Sequence, residues 1–172
     1  LAMTAHKLHG PKGVGALYVR RRNPRVGLSA QMHGGGHERG MRSGTLNVPG
    51  IVGLGVASAL AKSGLDQHVV AMTRLRDLLE TALLAIPGVQ RNGHATQRLC
   101  NTSNLSFPGI DADALLNGMR GIAVSTGSAC TSALMQPSHV LQAMGVLNDA
   151  AFASIRFSLS RFTTVAEIEA AI

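Results

Sequence analysis

The chain has 172 residues, and its 45% hydrophobic content supports a packed core and argues against disorder. Aromatic residues make up 3%, with no Trp, which is too few for a base-stacking nucleic-acid surface. The net charge of +7 sits entirely in residues 1–42, where eight Lys/Arg face one acid, Glu38, while residues 43–172 balance. Such a segment suits a phosphate-bearing ligand, an acidic partner, or a complementary acidic stretch elsewhere in a longer protein.

In chain order, Leu1-Ala2-Met3 reads as the end of a buried strand, and Thr4-Ala5-His6-Lys7 as a strand-to-loop junction. Gly10-Pro11-Lys12-Gly13 is a tight turn, with both glycines available for positive φ. Residues 14–19 form a second strand, and Arg20-Arg21-Arg22 its solvated end. Residues 33–45 hold five glycines, so the backbone there must turn or approach something closely. His33 and His37 lie four apart, but on a glycine-rich loop that spacing defines no helical face, and no metal site is expected.

From Asn47 the pattern is helical. Pro49 suits a first turn, and residues 51–61 are apolar all round, as in a buried helix. That run is shorter than the ~20 residues a bilayer span needs, and no signal peptide is evident, so no membrane association is expected. Gly64 breaks the helix. A second helix is expected from about Asp66 to Ile86, with Met72, Leu75, Leu79, Ala82, Leu83 and Ile86 as its core stripe. Arg74, Arg76, Asp77 and Glu80 fall mostly off the stripe, and Pro87-Gly88 ends the helix.

The remainder alternates short strands and helices. Residues 104–107 are a strand closed by Pro108-Gly109, and Asp111 caps a helix running to Met119. Residues 122–124 are a short strand, and Pro137 to Met144 a helix ending at Gly145. Ile155, Phe157 and Leu159 alternate with Arg156, Ser158 and Ser160, as in a half-buried strand. Thr164 and Glu167 match a capping box opening the last helix. No internal repeat is found. The boundary between two substructures falls near residue 66, which gives 1–66 and 67–172.

Two groups carry chemistry on their own terms. Lys7, beside His6, sits between a strand end and a glycine turn. A lysine amine in such a place either reaches solvent or, if buried, loses its proton and can form a Schiff base. Cys130 lies in Ser125-Thr126-Gly127-Ser128-Ala129-Cys130-Thr131-Ser132, where every side chain is small, so the thiol is either an inert surface group or a presented nucleophile. Cys100 adjoins a strand and reads as a small buried hydrophobe. Two cysteines without a CxxC pair argue against a disulfide framework and for a reducing compartment.

Four stretches resemble one family together. Thr4-Ala5-His6-Lys7-Leu8-His9-Gly10-Pro11-Lys12-Gly13-Val14-Gly15 resembles the lysine segment of cysteine desulfurases, the pyridoxal-phosphate enzymes that supply sulfur for iron–sulfur clusters. The run Gln31 to Thr45, through His33-Gly34-Gly35-Gly36-His37-Glu38-Arg39-Gly40, resembles the family's second long motif. Residues 125–132 resemble its cysteine loop, and Ser154-Ile155-Arg156-Phe157-Ser158-Leu159 its carboxylate-binding segment. The motifs stand in family order and look most like the bacterial and mitochondrial branch of general cluster assembly.

The resemblance implies an α/β fold: the C-terminal part of a fold-type I pyridoxal-phosphate transferase large domain, followed by a small α+β domain. It implies that Lys7 holds pyridoxal 5'-phosphate as an internal aldimine and moves the substrate's α-proton. Thr4 and His6 would lie at the cofactor phosphate and ring edge. Thr45 would reach the phosphate of the other subunit's cofactor, making the enzyme a homodimer. Arg156 would bind the carboxylate of L-cysteine, and Cys130 would accept sulfur as a persulfide, leaving alanine. An iron–sulfur scaffold or other acceptor protein would take the sulfur, for clusters, other thio-cofactors or tRNA thiolation. No direct nucleic-acid contact is expected. The setting would be the bacterial cytoplasm or the mitochondrial matrix.

The family's aspartate at the pyridine nitrogen, ring-stacking histidine and partner glutamine belong upstream of the lysine segment and have no counterpart in these residues. With no initiator Met, the chain is expected to be a C-terminal part, inactive alone. Selenocysteine lyase, another pyridoxal-phosphate enzyme of the same fold, or a non-catalytic dimerisation or binding module are the competing readings.

Overall fold

The computed structural model describes residues 1–126 and 137–172. They form two compact units, Leu1–Leu65 and Asp66–Ile172.

In the first unit, strands β1 (Ala2–Thr4) and β2 (Gly15–Leu17) pair antiparallel, with Ala2 opposite Leu17 and Thr4 opposite Gly15. Gly15 is required by close approach: a Cβ there would stand 2.4 Å from the Met3 carbonyl oxygen. The expected junction after β1 is a 3-10 turn, Ala5–Leu8, closed by Gly10 N–H donating to Ala5 O at 2.9 Å. Of the two turn glycines only Gly13 uses positive φ (81°). Helix α1 (Val48–Ser63) starts at Asn47, whose side chain accepts from Gly50 N–H at 3.1 Å. It packs on the 3-10 turn, where Ala5 and Ala57 are buried.

Two expectations of burial are corrected here. Leu1 is 78% exposed, and along α1 Val52, Val56 and Leu60 are all more than half exposed. The elements form, but a two-stranded sheet and one helix have too little surface to cover each other. The expected 14–19 strand is also shorter, because only Gly15–Leu17 find partners on β1.

The second unit is built on helix α2 (Leu65–Leu84) and a three-stranded antiparallel sheet of order β3 (Gln90–Arg91), β4 (Thr102–Ser106), β5 (Ser154–Ser158). Around it stand the short helices α3 (Ala112–Gly118), α4 (His139–Ala143), α5 (Asn148–Phe152) and α6 (Val165–Ala171). The α2 stripe Leu75, Leu79 and Leu83 closes on Leu105, Phe107, Ile155, Phe157 and Leu159, with Ile168 from α6. Leu79, Leu105 and Ile155 are almost wholly buried, each contributing roughly 1.5–3 kcal/mol of transfer free energy. The two helix starts read from sequence are present. Asp111 accepts from Ala114 N–H at 2.8 Å, and Thr164 and Glu167 complete a capping box.

Two of the charged residues off the α2 stripe, Arg76 and Glu80, are nonetheless buried. Glu80 accepts from Arg98 at 2.5 and 2.7 Å, Arg91 at 2.9 Å and Ser103 at 2.6 Å, and Arg76 donates to Leu99 O at 2.8 Å. These bonds tie the segment leading into β4 onto α2. Residues 122–124 form no strand; among the described residues of this stretch only Ser125 pairs with β5. Strand β3 and helix α5 are too short, at two and five residues, to show a periodicity. Cys100 is a free, half-buried thiol, not a buried hydrophobe.

Candidate active site

Lys7 and its neighbours lie in the first unit. Thr4 ends β1, and the 3-10 turn that follows brings Thr4 Oγ1 to 2.9 Å from His6 Nδ1. Lys7 is in the same turn, exposed. The turn is held from behind by glycines on both partners. A Cβ at Gly10 would stand 3.1 Å from Ala57, and one at Gly53 would stand 2.5 Å from the Pro11 ring. Four consecutive residues thus present a hydroxyl, an imidazole and a primary amine on a backed turn. That donor set fits a phosphorylated aldehyde: the amine for the carbonyl carbon, the hydroxyl and imidazole for phosphate oxygens or a ring edge.

The glycine-rich motif is irregular backbone with an internal clamp. Ser43 is buried and donates to Gly35 O at 2.5 Å. Glu38 and Arg39 both take left-handed φ, 51° and 60°, which non-glycine residues rarely adopt. Thr45 is exposed, and Arg42 reaches back to the carbonyls of Gly44 and Thr45 at 3.0 and 3.5 Å. A cavity of about 1040 Å³ opens beside the motif, lined by Tyr18, Arg21, Arg25, Glu38 and Arg39 among others. Three of the eight basic residues of this segment, with its one acid Glu38, therefore face one open concavity.

Arg156 lies in the second unit. Arg156 is exposed on β5, between buried Ile155 and Phe157, on the sheet face away from the core. On one edge its N–H donates to Ser125 O at 2.6 Å, and Ser125 N–H donates back at 3.3 Å. On the other edge it stands opposite Asn104 of β4. Asn104 stands opposite Asn92, whose N–H donates to Asn104 O at 2.9 Å and whose Nδ2 donates to Asn104 Oδ1 at 2.7 Å. Ser125, Arg156, Asn104 and Asn92 therefore form one polar row across the sheet. Sequence patterning marked Arg156 but not the two asparagines; their alignment is non-local and carries no spacing signal.

Cys130 lies outside the described residues, which resume at Pro137. Ser125, five residues before it in the sequence, is the residue that pairs with Arg156. Among the described residues no cluster of His, Cys, Asp or Glu could hold a metal ion, and no single helix is long and apolar enough to cross a membrane.

A family model described as Aminotransferase class-V matches residues 1–171. The chain is 51% identical over all 172 residues to the cysteine desulfurase IscS of Shewanella loihica and to that of Tolumonas auensis. It spans 42% of the length of each. Among solved structures, one described as a NifS-like protein superposes with a TM-score of 0.83 at 39% identity, covering 98% of this chain and 42% of that one. A NifS-like protein from Rickettsia africae gives 0.74 at 37% identity over 85% of this chain and 38% of that one. SspA, solved in complex with cysteine, gives 0.67 at 33% identity over 95% and 44%. The α/β fold expected from the sequence is the fold these structures share with the chain.

Proposed function

The chain belongs to the class-V aminotransferase family, whose members depend on pyridoxal phosphate, and on that premise we propose that it carries the sulfur-accepting and carboxylate-binding half of a cysteine desulfurase. The observation that carries this reading is the Ser125–Arg156 pairing. It roots the loop bearing the thiol on the residue suited to hold an amino-acid carboxylate.

When bound, pyridoxal phosphate supplies an electrophilic carbon for amines and a sink for electrons released at the substrate's α- and β-carbons. Lys7 would hold it, with Thr4 and His6 at its phosphate and ring edge, and would carry the substrate's α-proton on Nζ. Arg156 pairs with the carboxylate of L-cysteine through its planar fork, which sets the direction of the thiol. The Cys130 thiolate attacks the substrate sulfur. An S–S bond forms as the substrate Cβ–S bond breaks, Cβ keeps the electron pair and takes up a proton, and the products are alanine and a Cys130 persulfide. No external oxidant or reductant is consumed. A free thiol of pKa ~8.5 is mostly protonated at neutral pH, so the site must favour the thiolate.

The same reading makes the enzyme a homodimer in which Thr45 serves the partner's cofactor phosphate. The basic concavity lined by Arg21, Arg25 and Arg39 suits an acidic sulfur-acceptor protein, such as a scaffold for iron–sulfur clusters. With two cysteines and no CxxC pair, the setting is a reducing one, bacterial cytoplasm or mitochondrial matrix.

The test uses the full-length polypeptide with pyridoxal phosphate. Alanine released from L-cysteine in equal amount to transferred sulfur, abolished in Cys130→Ala, is the expected result. Absence of cysteine-dependent alanine from the wild-type protein overturns the reading.

A further inference from the structure

The structure assigns Asn104 a direct role beside Arg156, as a second hydrogen-bond donor to the substrate carboxylate. The inference rests on the desulfurase reading above and deepens it. Three observations carry it.

The first is register. Leu159 N–H donates to Asn101 O and Phe107 N–H donates to Ala153 O, both at 2.8 Å. Hydrogen-bonded pairs of the β4–β5 ladder therefore fall at odd positions, and Asn104–Arg156 is a non-hydrogen-bonded pair. In such pairs the side chains lie closest, with Cβ atoms roughly 4.5–5.5 Å apart on one face.

The second is amide orientation. Ser106 Oγ donates to Asn92 Oδ1 at 3.2 Å, while Asn92 Nδ2 donates to Ser106 Oγ, Ser154 Oγ and Asn104 Oδ1 at 2.8, 3.0 and 2.7 Å. Ser154 and Ser106 are buried, and Ser154 Oγ is itself tied to Ala150 O at 2.6 Å. This network sets which end of the Asn92 amide is nitrogen, and that in turn turns Asn104 Oδ1 toward Asn92. The Asn104 Nδ2 donors are left at the other end of the amide.

The third is what stays unpartnered. Among the described residues neither Asn104 Nδ2 nor the Arg156 guanidinium has an acceptor. A carboxylate has about four lone-pair sites, and a bidentate arginine uses two of them. A neutral amide donor one strand away can use a third without adding charge.

The experiment measures binding to the full-length, cofactor-loaded enzyme through the change in cofactor absorbance. The probes are L-alanine and ethylamine, its counterpart without the carboxylate. Asn104→Ala is expected to weaken L-alanine roughly tenfold or more and leave ethylamine unmoved, since a hydrogen bond to a charged group is lost. Asn104→Asp should weaken L-alanine further, through like charge. Asn104→Ser, which keeps a donor, should lose less than Asn104→Ala. Unchanged L-alanine binding in Asn104→Ala overturns the inference, and so does parallel weakening of both probes, which marks a structural role. A wild-type enzyme that binds L-alanine with this Asn104 dependence but yields no alanine from cysteine overturns the desulfurase reading and not the Asn104 assignment.

Discussion

Arg156 and Ser125 exchange two backbone hydrogen bonds, at 2.6 and 3.3 Å, along the outer edge of β5. Arg156, the residue proposed to hold the carboxylate, is therefore paired with a residue five positions before Cys130. Cys130 follows Ser125 by five residues, a tether of at most roughly 17 Å fully extended. The thiol's reach is thus measured from Arg156 itself. Ser125→Pro removes the Ser125 N–H and with it one rung of that pair. We expect alanine formation by the full-length enzyme to fall about tenfold while L-alanine affinity changes little. Steady-state kinetics beside equilibrium binding checks this.

Arg156→Lys tests the fork itself. Lysine keeps the charge but offers no planar pair of donors. We expect KM for L-cysteine to rise roughly ten- to a hundredfold, the loss of a hydrogen bond to a charged group, with a smaller change in kcat. An unchanged KM would remove the carboxylate from Arg156.

Glu80 gives a pH prediction. Burial alone would push its carboxyl up, but hydrogen bonds from Arg98, Ser103 and Arg91 outweigh that and lower it to about 2 from 4.5. A depressed folded value stabilises the second unit above the unfolded value, and that contribution is lost as pH falls from about 4.5 toward 2. The full contribution is about 3 kcal/mol. Wild type should therefore lose thermal stability steeply across that window. Glu80→Gln should be less stable by about 3 kcal/mol at neutral pH, because Arg91 and Arg98 lose their buried counter-charge, and should show a flatter acid limb. Thermal melts from pH 2 to 7 check both.

Gly53 tests how the lysine turn is supported. A Cβ there would stand 2.5 Å from Pro11 Cγ, so Gly53→Ala forces α1 off the turn that carries Lys7. Overpacking of this kind costs about 1–3 kcal/mol. We expect less pyridoxal phosphate to be trapped on Lys7 by borohydride in the full-length variant, and wild-type trapping in Gly55→Ala, where a Cβ meets open space.

Local signals made much of this legible in the sequence. Helix α2, its Leu75–Leu79–Leu83 stripe, the Asp111 cap and the Thr164–Glu167 box all follow from spacing within one turn or one helix. Lys7, Arg156 and Cys130 stood out as chemistry because of their motifs. What stayed hidden is non-local. The row Asn92–Asn104–Arg156–Ser125 exists only through strand register, and β3 has just two residues to announce it. A stripe argument sets Glu80 off the leucine face and says nothing of what covers it. Its burial depends on Arg91 and Arg98, 11 and 18 residues away. The exposure of α1 was illegible for the opposite reason: composition says what a helix could bury, not what stands opposite it.

The two cysteines give the proposed sulfur chemistry its internal control. Cys100 is half-buried beside β4, in the segment that Arg76 holds through Leu99 O, and no motif surrounds it. Cys130 stands among small residues in the sequence, five positions after Ser125. With L-cysteine carrying labelled sulfur, the full-length enzyme should retain label as a reducible persulfide at one position. Cys130→Ser should abolish both label and alanine release, since a hydroxyl cannot accept sulfane sulfur. Cys100→Ala should leave both at wild-type levels. Mass spectrometry of the labelled protein, before and after reduction, locates the sulfur. Label on Cys100 would move the acceptor out of the loop. Full activity toward selenocysteine in Cys130→Ser, with none toward cysteine, would replace the desulfurase with a selenocysteine lyase, because breaking a weaker carbon–selenium bond needs no acceptor thiol.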